Sequence, residues 1–145
     1  MNWTEEKVIF ISHFSTSPVM SNPVLRQKSF DFAVRIVRLV QRLQKEDKEF
    51  VMSIQILKSG TSPGALVREA EFAQSKLDFI NKLSIGLKEA NETEYWLSLL
   101  HATDYLDSEE FKSLHSDCGE VKAISIVSIK TAKSNLARKS PRKAT

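Results

Sequence analysis

The side chains best suited to metal or acid–base chemistry are three histidines, one cysteine and scattered carboxylates. His115 and Cys118 stand about one helical turn apart, so they could supply two ligands to a zinc ion. A zinc site needs three or four ligands, and no third one is evident in the sequence. We therefore expect Cys118 to be a small core residue, as free cysteines often are.

Other signatures of catalysis are also missing from the sequence. The Glu-x-x-His pairs that hold di-iron sites in helical bundles do not occur. The stretch SGTSPG contains glycines but lacks the lysine and the preceding strand of a phosphate-binding loop. Glu69 and Glu71 are two residues apart, so on a helix they point about 200° from each other. We therefore predict that the protein is not an enzyme and carries no metal or cofactor.

Apolar periodicity predicts helices over most of the chain, and most prolines and glycines lie in the N-terminal arm, in residues 59–64 or in the C-terminal tail, so little interrupts the helical stretches. The predicted helices span about residues 24–45, 50–73, 75–106 and 107–136, and Asp107 begins the last as a capping residue. Amphipathic helices joined by short loops pack side by side in alternating directions. The predicted fold is therefore all-α, an antiparallel up-down four-helix bundle.

The second helix contains a small-residue elbow at residues 59–64. Ser62 could cap a new helical turn there, with Pro63 at its first position, where a missing N–H is harmless. Otherwise the helix runs through Pro63, which removes one backbone hydrogen bond and bends the axis. The second helix is predicted to be kinked, or broken into two coaxial pieces, near Pro63.

Apolar side chains at three-four spacing predict the buried face of each helix. The first helix has two such rows, more than one small bundle can cover, so part of its surface could be a subunit interface. The rows are Phe30, Ala33, Val37 and Val40 with Phe32, Ile36, Leu39 and Leu43; Phe50, Ile54 and Leu57; Leu77, Ile80, Leu83, Leu87 and Ala90; and Phe111, Leu114, Cys118 and Val121.

Charge is distributed unevenly along the chain, although the net charge is only +3. Residues 26–45 hold six basic side chains and one acidic one, residues 46–129 hold 8 basic and 15 acidic ones, and residues 130–145 hold six basic and none acidic. The basic row on the first helix could be a solvated face, a phosphate-binding ridge or a contact with a neighbour's acidic face. The candidate nucleic-acid-binding residues are Lys28, Arg35, Arg38, Arg42, Lys45, Lys130, Lys133, Arg138, Lys139, Arg142 and Lys143.

Three segments within residues 22–135 are closely similar to the bacterial 23S ribosomal RNA intervening-sequence protein family. They are NPVLRQKSFDFAVRIVRLVQRL, SGTSPGALVREAEFAQSKLDFINKLSIGLKEANETEYWLSLL and SIVSIKTAKSN. The resemblance implies a four-helix bundle that forms a homopentamer without known catalytic activity. The chain also resembles the related accessory variability determinant of diversity-generating retroelements, a basic pentameric bundle that binds nucleic acid and a reverse transcriptase.

The predicted organisation is a mobile N-terminal arm at residues 1–22, the bundle at residues 23–136 and a basic disordered tail at residues 137–145. The sequence has no signal-peptide or transmembrane pattern, so we expect a cytoplasmic protein. Our first hypothesis is an oligomeric bundle that binds RNA or DNA, with RNA favoured, through basic surfaces, either as an accessory protein to a reverse transcriptase or in association with rRNA intervening sequences. The alternative is a scaffold that docks a partner protein, such as a reverse transcriptase, without contacting nucleic acid.

Overall fold

The computed structural model describes residues 22–140. Within them lie four α-helices in the order α1 (Pro23–Lys45), α2 (Met52–Ala70), α3 (Lys76–Ala102) and α4 (Ser108–Lys139). Consecutive helices pack against each other, and α4 also packs on α1, which closes the bundle. The predicted all-α four-helix bundle is confirmed. Residues 1–21 and 141–145 lie outside the described residues, and most of the predicted N-terminal arm falls there.

Three of the helices begin at residues that commonly cap helix N-termini. The Asn22 side chain accepts hydrogen bonds from the backbone N–H groups of the first turn of α1. Ser75 caps α3, and the Asp107 carboxylate accepts the backbone N–H of Glu110 at 2.8 Å. The capping residue predicted for the fourth helix is therefore confirmed.

The start of α2 is organised by the buried Glu49 carboxylate, because Val51 provides no side-chain cap. The backbone N–H groups of Val51, Met52 and Ser53 donate to this carboxylate over 3.0, 2.9 and 2.7 Å. Burial alone would raise the pKa of Glu49, but these hydrogen bonds together hold it below its ordinary value of 4.5. Glu49 is therefore an ionised cap that the sequence analysis did not identify.

Helix α2 runs without interruption through Pro63, so of the two predicted forms, kinked or broken, the broken one is excluded. Ser62 does not begin a new helix, since its hydroxyl donates to the Lys58 carbonyl over 2.6 Å inside the same helix. Pro63 is buried, and its Cα lies 3.6 Å from the position that a Cβ on Gly86 of α3 would take. Packing between α2 and α3 therefore keeps the proline within one continuous helix.

The core confirms part of the predicted buried faces. On α1, the row containing Phe32, Ile36 and Leu43 is at most 3% exposed, and on α4 the predicted residues Leu114 and Cys118 are at most 1% exposed. These side chains face the centre of the bundle. The choice of inner face on the long helices α1 and α4 was therefore predictable from spacing.

Outside α1, three residues predicted to be buried are instead exposed: Phe50 at 51%, Ile54 at 48% and Leu77 at 65%. Phe50 precedes α2, and Leu77 lies in the first turn of α3. Ile54 lies on the outside of α2 because small and polar residues, among them Ser53 and Gly60, form the inner face of that helix. An apolar pattern cannot reveal an inner face built from such residues.

The long helices also end at different residues from those predicted. Helix α3 ends at Ala102 rather than near residue 106, and Asp104 follows with a positive φ of 68°. Helix α4 continues to Lys139, so residues 137–139 are helical rather than part of a disordered tail. None of the helices among residues 22–140 has a stretch long and apolar enough to cross a membrane.

Candidate nucleic-acid interface

Three of the five candidate cations on α1 form ion pairs with carboxylates on α4. The nitrogen–oxygen distances of these pairs are 2.5 to 2.7 Å, typical of charge-assisted hydrogen bonds. We call this set the α1–α4 seam, and its pairs are Lys28–Glu120, Arg35–Asp117 and Arg42–Glu110. The acidic face that this basic row contacts is therefore supplied by the same chain.

The seam follows from helix geometry. Lys28, Arg35 and Arg42 are seven residues apart, so they lie in one line about 21 Å long at 1.5 Å per residue. The hydrogen bond to Glu110 raises the pKa of Arg42, and the hydrogen bond to Glu120 raises the pKa of Lys28. The carboxylates thus favour the charged form of the cations that face them.

The other two candidate cations on α1, Arg38 and Lys45, form no ion pair among residues 22–140. Both are exposed, and Arg38 donates a hydrogen bond to the Gln41 amide oxygen over 3.4 Å. The predicted basic ridge therefore divides into three paired cations and two free ones. Sequence reasoning missed the carboxylates of the seam, although the seven-residue spacing of Glu110 and Asp117 matches that of the arginines opposite.

The C-terminal part of α4 carries the remaining described candidates, Lys130, Lys133, Arg138 and Lys139. All four are exposed, and none forms an ion pair within the described part of the chain. No acidic residue follows Glu120 in the sequence. We call this set of four residues the basic end of α4. The other two candidates, Arg142 and Lys143, lie outside the described residues.

The basic end of α4 meets the start of α3. The pKa of Lys76 is lowered from its ordinary value, first by desolvation and then by the nearby charge of Lys139. The two ammonium groups are therefore close enough to repel each other. Positive charge is concentrated at this end of the bundle, and an approaching anion would relieve that repulsion.

A third feature is an apolar surface that spans α1 and α2. Phe30, Val34 and Val37 follow one line on α1 and are 51%, 42% and 36% exposed, and Ile54 of α2 is 48% exposed. Beside them, small side chains line a groove that is bounded by Phe30 and by Arg68, whose guanidinium lies 5.8 Å from the Phe30 ring centroid. We call the four apolar residues Phe30, Val34, Val37 and Ile54 the α1–α2 apolar face.

The residues considered for metal or nucleophilic chemistry do not converge. The Cys118 thiol is buried and donates to the Ala90 carbonyl, and burial above all raises its pKa to about 12. The His115 ring is 4.0 Å from the Glu94 carboxylate, whereas His101 stacks on Phe111. Among residues 22–140 no group of three potential ligands could hold a metal ion. The expected core role of Cys118 agrees with its burial.

The fold and these surfaces define a small helical-bundle protein whose candidate site is a charged surface. Residues 22–126 match the family model described as 23S rRNA-intervening sequence protein, and the chain belongs to this family. The family resemblance seen in the sequence is thereby confirmed.

A solved structure of a similar protein also supports the family assignment. The chain is 58% identical to a protein of unknown function from the S23 ribosomal protein family of Bacteroides thetaiotaomicron VPI-5482, with a TM-score of 0.75. The match covers 77% of this chain and 99% of that one. No protein with a curated description matches the chain.

Proposed function

We propose that this protein is a non-enzymatic, self-associating bundle that binds RNA through the basic end of α4. The observation that carries the proposal is the set of four exposed cations there without an ion pair among the described residues. Exposed lysines and arginines bind phosphates without selecting a base sequence, so the binding should depend steeply on salt. The family description, which names an intervening sequence of 23S rRNA, supports RNA as the first ligand to test.

Self-association would multiply such contacts. The α1–α2 apolar face exposes three large side chains along one line of α1, and a second copy of the chain could cover them. Several basic ends in one assembly would bind one RNA with higher avidity than a single copy. The resemblance to pentameric bundles makes a homopentamer the expected assembly. The expected location, from the sequence, is the cytoplasm.

The test measures binding of a short structured RNA by fluorescence anisotropy between about 50 and 200 mM salt. A basic-end variant replaces four cations with neutral side chains: Lys130→Gln, Lys133→Gln, Arg138→Gln and Lys139→Gln. A control variant removes four exposed cations elsewhere that form no ion pair among the described residues: Lys48→Gln, Lys58→Gln, Lys88→Gln and Lys112→Gln. Both variants change the net charge equally.

The proposal expects the basic-end variant to bind RNA at least about tenfold more weakly at low salt than the control variant does. Its salt dependence should also flatten, by up to about three in the slope of log affinity against log salt, because up to four phosphate contacts are lost. Equal losses in both variants would contradict a specific role for the basic end. The absence of RNA binding by the wild-type protein at low salt would contradict the proposed function itself.

The alternative function is a scaffold that docks a partner protein, for example a reverse transcriptase, without touching nucleic acid. The α1–α4 seam favours it, since three cations of the predicted phosphate ridge already have carboxylate partners. Under this alternative the protein does not bind RNA, so the fluorescence anisotropy that reports RNA binding stays unchanged at every salt concentration. The assembly would still form, because association through the α1–α2 apolar face does not require RNA.

A further inference from the structure

The α1–α4 seam has the geometry of a polyanion site that is already filled by carboxylates. We propose that Lys28, Arg35 and Arg42 form a second RNA contact, which the acidic residues of α4 mask until RNA phosphates replace them. This inference rests on the proposed function, because it assumes that RNA first reaches the protein through cations that are free.

The chemistry of the seam suits such an exchange. A guanidinium group binds carboxylate and phosphate oxygens through the same N–H donors, so a phosphate can take the place of Asp117 on Arg35 or of Glu110 on Arg42. The three cations lie in one line along α1, as contacts to a single nucleic-acid backbone would require. The carboxylates of α4 thus occupy positions that phosphates could take.

The exposure of the pairs makes them replaceable. The cationic side chains of Lys28, Arg35 and Arg42 are 43%, 37% and 35% exposed, so an approaching phosphate can reach them from solvent. Ion pairs that are this exposed contribute little to stability, because water screens them. The contact between α1 and α4 is also the least extensive of the four helix–helix contacts.

Two free cations border the masked ones. Arg38 and Lys45 are exposed on the outer surface of α1 and form no ion pair among residues 22–140. A nucleic-acid backbone that contacts them lies beside Arg35 and Arg42, one turn or less away on the same helix. The free pair would therefore bring phosphates within reach of the seam.

The test removes the masking charges without touching the cations. A seam variant carries Glu110→Gln, Asp117→Asn and Glu120→Gln. A control variant carries Glu89→Gln, Asp104→Asn and Glu109→Gln, three acids that form no ion pair in the described part of the chain. Both variants gain the same net charge, so a general charge effect on RNA affinity is equal in the two.

The seam variant should bind the same short RNA at least about tenfold more tightly than the control variant at low salt. Its salt slope should be steeper by up to about two, because three phosphate contacts form without first displacing a carboxylate. Adding Arg35→Gln should remove part of this gain. In the wild-type protein the same change should also weaken RNA binding, but by less, because there the phosphate must displace Asp117 from Arg35. If the seam variant does not fold, Asp117→Asn alone, compared with Asp104→Asn, gives the same test on one pair.

The outcomes separate this inference from the proposed function. If the wild-type protein binds RNA and the seam and control variants bind it equally, the masked contact is overturned and the role of the basic end stands. If only the seam variant binds RNA, phosphates do not displace the carboxylates in the wild-type protein, and both the masked contact and the role of the basic end fail. If no form binds RNA, both are overturned.

Discussion

Gly60 of α2 lies so close to Ile36 of α1 that a Cβ on Gly60 would be 2.8 Å from both Cγ1 and Cγ2 of Ile36. Ile36 is fully buried, so its side chain has little room to move away. One helical turn further along α2, a Cβ on Gly64 would lie 3.2 Å from the Ser29 carbonyl oxygen. Two glycines thus let α1 and α2 approach each other more closely than residues with a Cβ would allow.

Replacing Gly60 with alanine should destabilise the fold by about 1 to 3 kcal/mol, because the added methyl group forces Ile36 or the helices apart. Alanine would otherwise favour a helix over glycine by about 1 kcal/mol. Gly119 of α4 is the matched control, since a Cβ there meets no atom within 4 Å, and Gly119→Ala should be stabilising. Urea denaturation measures both changes. A Gly60→Ala protein as stable as the wild type would contradict the close packing.

The hydroxyl oxygens of Ser59 on α2 and Thr93 on α3 lie 3.0 Å apart in the interior, and neither residue is exposed. Thr93→Val keeps the shape of the side chain but leaves the Ser59 hydroxyl with only a 3.5 Å contact to the Ile56 carbonyl. We expect a loss of about 1 to 3 kcal/mol in the free energy of unfolding. Thr131 is exposed on α4, so Thr131→Val should change stability by less than about 0.5 kcal/mol. Similar effects of the two substitutions would exclude a specific role for the buried pair.

Glu49 should make the stability of the protein depend on pH at acid pH. Its pKa is lowered in the folded state, so its stabilisation is complete above the ordinary pKa and is lost as the pH falls through the lower, folded-state value. Glu49→Gln should therefore cost about 1 kcal/mol at neutral pH, and its deficit relative to the wild type should shrink as the solution is acidified. Denaturation curves at several pH values test this prediction.

The neighbouring Glu46 is the control for this experiment. It is exposed and follows α1 directly, so Glu46→Gln should change stability little. A Glu49→Gln deficit that persists unchanged at the lowest pH would show that the lost interaction does not depend on the charge of the carboxylate. Such a result would contradict the assignment of Glu49 as an ionised cap.

Sequence reasoning succeeded where the signal is local. The cap at Asp107 and the buried line through Phe32 and Ile36 follow from residues within a few positions of one another. It failed where distant residues decide the outcome. Arg35 meets a carboxylate 82 positions away, and Pro63 stays helical because a separate helix covers it. Such pairings depend on the relative register of packed helices, which the periodicity of a single helix does not contain.

The α1–α2 apolar face offers the clearest test of self-association. Phe30→Gln combined with Val34→Gln replaces two exposed apolar side chains with polar ones, without reaching the core. If a second copy covers this face, the two substitutions remove apolar area that association would bury. The lost free energy of association is about 25 cal/mol per Å² of that area. We expect the dissociation constant of the assembly to rise at least about tenfold, measured by light scattering over a range of protein concentrations.

The control for that experiment must remove the same kind of side chain from another surface. Leu77 and Val127 are 65% and 61% exposed on α3 and α4, so Leu77→Gln with Val127→Gln lowers surface hydrophobicity equally. If association is non-specific and hydrophobic, both double variants associate more weakly. A specific interface is weakened only by Phe30→Gln with Val34→Gln. Retained helicity in circular dichroism shows that the bundle itself is intact. An assembly unaffected by Phe30→Gln and Val34→Gln would place the contact between copies on a different face and leave the apolar groove beside Arg68 open to a partner protein.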